Sequence, residues 1–182
     1  LAQIYYNLTF TNFIGNTPTE SLLIANNNPI ARSFDIDQLK EEKARNFSLG
    51  FTAKLSSNFN ATIDTYFVSV IDRIILSGNF DASSLGFGVD NVQFFANGVD
   101  TKTTGIDVVL NWKKEFENSY LSFDLSGNTN HMKITEIKNK MLDKETFFGT
   151  GDQQFLLASA PNSKFNFSIN HKKPISSFWL AF

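Results

Sequence analysis

An all-β fold is what this 182-residue sequence predicts, an antiparallel up-and-down transmembrane β-barrel wall present as a partial barrel of about seven strands. Three observations predict it. Apolar and polar residues alternate with a period of two in segment after segment, which sends one set to each face of an extended chain. One segment, from Asn60 to Leu76, would span about 50 Å at roughly 3.3 Å per residue, well beyond a soluble strand of about 5 to 6 residues. The connections alternate between short and long, as in a meander whose turns gather at one end and whose loops gather at the other.

The elements follow in order from that alternation. A first, less regular strand is predicted near 2–10. In "RNFSLGFTAKLS", within a strand near 45–57, Phe47, Leu49, Phe51, Ala53 and Leu55 oppose Asn46, Ser48, Gly50, Thr52 and Lys54. The long strand near 60–76 places Tyr66, Val68 and Val70 toward lipid and Thr65, Phe67 and Ser69 inward, with Phe67 and Ile71 out of phase and the pair Asp72 and Arg73 breaking the run. Near 103–114, Ile106, Val108, Leu110 and Trp112 oppose Gly105, Asp107 and Asn111. Near 118–131, Leu121, Phe123 and Leu125 oppose Tyr120, Ser122, Asp124, Ser126, Asn128 and Asn130, a row predicted to line the hydrophilic interior. Strands near 163–172 and 176–182 carry Phe165, Phe167 and Ile169, then Phe178, Leu180 and Phe182. Phe47, Phe51, Phe123, Phe165, Phe167 and Phe178 should therefore all lie on the outer, lipid-facing surface.

"SSNFN", "KKEFEN" and "KKPISS" are the short connections; residues 11–44, 77–102 and 131–161 are the long ones. A water-soluble sandwich also alternates, but it has no need of such long strands or such unequal connections. The bulk composition agrees with a wall facing two media: 20 Phe stand beside many Asn, and the mean hydropathy is −0.16. A net charge of −2 gives no basic field for nucleic acid, so no nucleic-acid partner is expected. No run of about 18 apolar residues marks a transmembrane helix, and no leader is visible at Leu1. Cysteine is absent, which excludes disulfide and thiolate chemistry within the chain.

At this point the blocks "LAQIYYN", "LKEEKARNFSLGF", "TIDTYFVSVIDRIILSG" and "FFANGVDTKTTGIDVVLNW" resemble, in order and spacing, consecutive parts of the β-barrel of TonB-dependent outer-membrane receptors. The most specific are the charged stretch opening the strand that contains "LGF" and the "NG…T…G" turn before an alternating strand; Glu41 stands where the family often has Pro. The resemblance covers roughly residues 1–182 and implies part of one receptor barrel, with the plug domain and the remaining strands absent from this chain. Physics agrees: about seven strands cannot close a pore wide enough for a solute, and an unpaired edge is costly in lipid. The resemblance further implies a place in the outer membrane of a Gram-negative bacterium, contact with outer-membrane lipid, import of a scarce solute (siderophore, sugar or peptide), energy from the TonB–ExbB–ExbD complex acting through the plug, and a surface lipoprotein as a possible partner.

Searched for other chemistry, the sequence offers little. His131 and His171 are forty positions apart with no companion at ligand spacing. Asp143, Glu145 and Asp152 lack the regular spacing of a calcium loop and are read as a solvated acidic loop. "GTGDQQ" lacks the P-loop lysine, and no G-x-S-x-G elbow occurs, so no enzyme and no cofactor is predicted. The N-x-S/T matches at Asn7, Asn46, Asn60 and Asn166 fall in or beside predicted strands and are what an Asn-rich chain supplies by chance. Candidate solute contacts are Phe94, Phe95 and Asn97 in the second long loop and Phe147, Phe148, Asp152 and Gln153 in the third. Phe94 and Phe95 read equally well as the start of the next strand. Two other classes compete: a passive or structural outer-membrane barrel, including one recruited into a surface or secretion complex, and a secreted β-sandwich adhesin or carbohydrate-binding module.

Overall fold

The computed structural model of the chain describes residues 2–86, 88–139, 143–173 and 176–181. Among the described residues the strands are β1 (Leu8–Ile14), β2 (Thr17–Ile24), β3 (Lys43–Ser56), β4 (Phe59–Leu76), β5 (Phe80–Asp81), β6 (Asn91–Phe116), β7 (Ser119–Ile137), β8 (Ser163–Lys173) and β9 (Ser176–Ala181). Three short helices join them: α1 (Pro29–Ser33), α2 (Lys144–Phe148) and α3 (Thr150–Leu157). The residues fall into two compact units, one of residues 1–45, 69–102 and 133–157, the other of 46–68, 103–132 and 158–182.

The second unit is the predicted meander. β3 pairs with β4, β4 with β6, β6 with β7, β7 with β8 and β8 with β9, so the strands add in chain order once the second half of β6 is taken as the next long element. β7 and β8 are antiparallel with Phe123 opposite Ile169 and Asp124 opposite Ser168; β8 and β9 are antiparallel with Asn170 opposite Trp179. The apolar face of this unit is uncovered. Phe47, Phe51 and Phe165 are 68%, 70% and 71% exposed, and no buried hydrophobic side chain belongs to this unit among the described residues. Trp112, Phe123 and Phe167 form a row across three strands, with ring centroids 5.3 Å and 6.4 Å apart. A sandwich would have packed these rings in a core between two sheets, and none is packed there. Phe178 falls where the side chain lies outside the described residues, as does Phe182 altogether.

Glycines admit side chains across the strand pairs of this unit. A Cβ at Gly50 would strike the Asp64 carboxylate, one at Gly105 the Tyr66 ring, and one at Gly127 the Phe165 ring. These contacts correct the facing of β4: Tyr66 lies over Gly105 and accepts a hydrogen bond from Asn128 Nδ2 at 3.4 Å, on the polar side, while Phe67, on the other side of the strand, is 37% exposed. The reason is cross-strand pairing. A long tyrosine beside a glycine can reach the amides of the polar face, so its hydroxyl is satisfied there as it would not be in lipid.

The first unit is built differently, around a packed core. The long connection 11–44 is no loop: β1 and β2 form a hairpin turned at Gly15, whose φ of +64° suits glycine, with Phe10 opposite Ser21. The strand predicted near 2–10 is accordingly shifted, with a single 3₁₀ turn at Ala2–Ile4 before it. β2 then pairs in parallel with the start of β6, Ser21 opposite Asn91 and Ile24 opposite Phe94, which corrects the expectation of a wholly antiparallel sheet. α1 is capped by Asn28, whose side chain accepts from the Ile30 amide at 3.0 Å, with Pro29 in the first turn. The core holds Ile24, Ala31, Ile75, Val92, Val99 and a triangle of Phe34, Phe80 and Phe94 with centroids 5.1–6.0 Å apart. Gly98 leaves room for Ile75 and Phe147 to close over β6. Along β6 the buried positions switch from even (Val92, Phe94, Ala96) to odd (Val99, Thr101) at Gly98–Val99, a slip of phase that simple alternation does not foresee.

Candidate functional site

Two polar arrangements are candidates for function, one in each unit. In the second unit the face opposite the phenylalanines carries a hydrogen-bonded ladder. Asn111 Nδ2 donates to Asp124 Oδ1 at 2.7 Å, Asn170 Nδ2 to Asp124 Oδ2 at 3.4 Å, and Asn128 Nδ2 to Asp107 Oδ1. Asn130 Nδ2 reaches Asn128 Oδ1 at 3.3 Å, and Asn166 Nδ2 reaches Ser126 Oγ at 3.4 Å. Toward the turn between β6 and β7, the Lys113 ammonium sits 4.9 Å above the Tyr120 ring. Four of the six side chains of the predicted interior row, Asp124, Ser126, Asn128 and Asn130, thus bond to neighbours on one face, and Tyr120 carries the Lys113 ammonium. Amides and carboxylates spaced two apart along a strand can do this because alternate residues share a face.

In the first unit a cavity of about 410 Å³ opens among the loop 35–40, the end of β4, the beginning of β6, the end of β7 and Phe147. Its floor is apolar, from Ile36, Ala96, Ile137 and Phe147; its rim is polar, from Asp35, Asp37, Gln38, Lys40 and Glu136. The frame is rigidly bonded. Asn97 Oδ1 accepts from the Lys40 amide at 2.7 Å, and its Nδ2 donates to Lys40 O at 2.9 Å and Asp72 O at 2.6 Å. Asn26, 2% exposed, ties the same loop to β6 through Asp37 O and Phe95 O, both at 3.1 Å, and accepts from the Leu39 amide at 2.7 Å. Lys138 Nζ bridges Asp72 Oδ1 at 2.6 Å and Asp100 Oδ1 at 2.7 Å. The bond from Lys138 holds the Asp72 carboxyl below its ordinary range, against a smaller opposing effect of burial. Burial pushes the Lys138 ammonium down, but the bonds to Asp100 and Asp72 outweigh it and leave it raised.

The sequence-predicted contacts divide. Phe94, Phe147 and Phe148 are 0%, 2% and 4% exposed and serve the core, although an edge of Phe147 forms part of the cavity floor. Phe95 is half-buried with Tyr6 edge-on at 6.4 Å, and Asn97 lines the cavity while fully engaged in framing it. Asp152 is exposed in the first turn of α3, and Gln153 Nε2 donates to Phe148 O at 3.0 Å; neither reaches the cavity lining. Asp35, Asp37, Gln38, Lys40, Glu136 and Lys138 were not singled out from sequence. The signals present were the acidic "DIDQ" and the charged pair at Asp72 that interrupts an alternating strand. Among the described residues no cluster of three metal-ligating side chains occurs.

Comparison with known proteins adds one finding. The family model described as "TonB dependent receptor-like, beta-barrel" matches residues 2–180. No curated protein matches the sequence. No solved structure matches the fold.

Proposed function

Because the chain belongs to the TonB-dependent receptor-like β-barrel family, an outer-membrane family of receptors and transporters, we propose that it is part of the barrel wall of a receptor that imports a scarce solute with TonB-coupled energy. One observation carries the reading. The second unit is a single sheet layer with its phenylalanine face uncovered and its opposite face laddered by Asn and Asp, an arrangement unstable in water and natural between lipid and a polar lumen. In water those rings would demand a covering layer. In a bilayer the acyl chains supply it, while the amides need a polar filling such as a folded plug. The plug would be the element on which the TonB–ExbB–ExbD complex pulls.

The same polar row would suit a permanently open pore, so conductance decides. The full-length protein in a planar bilayer is expected to be essentially closed with its plug in place, and solute uptake by cells is expected to stop when the energising complex is removed. A steady, large conductance from the intact protein, unaffected by that removal, favours the passive barrel.

A further inference from the structure

We propose that the turn end of the second unit holds the phosphate headgroup of an anionic phospholipid, in an open concavity of about 280 Å³ where the end of β6, the start of β7 and the end of β8 meet, with Lys172 and Lys173 as its cationic pair. The proposal rests on the membrane-wall reading above and adds to it a particular lipid partner and the place where it binds. Short turns mark the periplasmic end of such walls, so the leaflet concerned is the inner one. The volume falls just short of the roughly 300 to 1,000 Å³ of a site that encloses a whole small molecule, and it suits a headgroup whose acyl chains lie elsewhere.

Charge selects the headgroup. Lys172 and Lys173 are exposed and have no acidic partner among the described residues. Glu115 is the one carboxylate of the lining, and the Lys113 ammonium already holds it at 2.6 Å, so the two further ammonium charges stand uncompensated. Asn118, Ser119 and Tyr120 add neutral donors around them. A phosphate diester brings a negative charge and several acceptor oxygens to such a set.

Position makes the occupant a lipid. On β8 the stripe Phe165, Phe167 and Ile169 runs on at every second residue, through His171, to Lys173, so an apolar face ends in a cation. On β6 the face of Trp112 likewise continues to Lys114 and Phe116, whose ring is 50% exposed with the Lys114 ammonium 5.5 Å above it. Lys172, opposite Tyr120, reaches the concavity from the other face of the sheet. Lysine stems lie along apolar surface while their heads stay at the polar boundary. A free phosphate would gain from the cations alone, whereas a phospholipid gains from the cations and, through its acyl chains, from the uncovered stripe beside them.

The test uses the full-length receptor purified in detergent and titrated with phosphatidylglycerol or phosphatidylcholine, with the bound lipids counted by native mass spectrometry. Phosphatidylglycerol is expected to occupy its tightest site about tenfold or more tightly than phosphatidylcholine, as charge-assisted bonds to an unopposed phosphate allow. The double variant Lys172→Gln with Lys173→Gln should abolish that preference, and Lys172→Arg with Lys173→Arg should keep it. Inorganic phosphate at the same concentration should leave the lipid in place. Heat-modified electrophoretic mobility checks that the variant barrels remain folded. Equal binding of the two lipids, a preference unchanged in the glutamine variant, or displacement by inorganic phosphate, which would mark a site for soluble anions, overturns the proposal. The titration involves neither transport nor an energised partner, so it can fail while conductance and uptake uphold the transporter, and the reverse can also occur.

Discussion

Replacing Phe123 by arginine probes the membrane-facing reading most directly. Its ring stands between Trp112 at 5.3 Å and Phe167 at 6.4 Å, stacked on the latter at 14°, in a row with no protein layer over it. If the row sits near the bilayer midplane, an arginine there costs about 2 to 4 kcal/mol. Loss of the two ring contacts adds about 0.5 to 1.5 kcal/mol each, for about 3 to 7 kcal/mol in all. Phe123→Leu keeps the apolar surface and isolates the ring contribution, so it should cost about 1 to 3 kcal/mol. Ser122→Arg, one residue away on the opposite face, should change stability by only about 0.5 kcal/mol. The assay is urea unfolding of the full-length protein in phospholipid vesicles, followed by tryptophan fluorescence. Equal costs for Phe123→Arg and Ser122→Arg, or the reverse order, would show that the phenylalanine face does not meet lipid.

Other expectations are narrower. Lys138→Met leaves Asp72 and Asp100 facing each other with partial exposure and should cost about 1 to 3 kcal/mol of the first unit's stability, read by hydrogen exchange of the β4 and β7 ends. Because Asp72 is more acidic folded than unfolded, its contribution is present above the unfolded value near 3.8 and is lost as pH falls through the lower folded value. Lys138 is the opposite case, contributing fully below about pH 10.5 and losing that contribution above its raised folded value, so a stability profile should fall below about pH 4 and again in strong alkali. Gly105→Val drives a branched side chain into the Tyr66 ring and should cost about 1 to 3 kcal/mol, with Tyr66→Ala in the same chain restoring part of the loss; additive costs in that double-mutant cycle would count against the contact.

What could be read from sequence depended on whether the decisive contacts were local. The second unit was legible because alternation is written residue by residue: "RNFSLGFTAKLS" became β3 and "SKFNFSIN" fell within β8, although the lysines of "KKEFEN" lie inside β6 and only Glu117 and Asn118 make the turn. Facing in β4 was not legible, since Tyr66 and Phe67 are adjacent aromatics and only the distant Gly105 and Asn128 decide which turns inward. The first unit was hidden almost entirely. Its hairpin lies in what reads as a polar loop, and its core draws Phe80, Phe94 and Phe147 from three separate stretches. The parallel pairing of β2 with β6 joins residues seventy positions apart, which no local pattern announces. The cavity inherits that difficulty, because its lining joins residues of the 35–40 loop to residues 136–139, about a hundred positions away.

The three glycine contacts of the second unit carry a consequence for how such a wall is put together. In a sheet whose strands all repeat the same two-residue rhythm, a neighbour displaced by two positions keeps every face correct, and hydrophobic matching cannot detect the error. Gly50 beneath Asp64, Gly105 beneath Tyr66 and Gly127 beneath Phe165 act as keyholes, one for each of three different strand pairs. Displacement by one repeat would bring Asp64 onto Ser48 or Thr52, Tyr66 onto Thr103 or Asp107, and Phe165 onto Leu125 or Thr129, each with a side chain in the way. A misthreaded wall would therefore be blocked at several seams at once, so correct assembly can be checked by shape as each strand arrives, before the barrel has closed and while an error can still be undone.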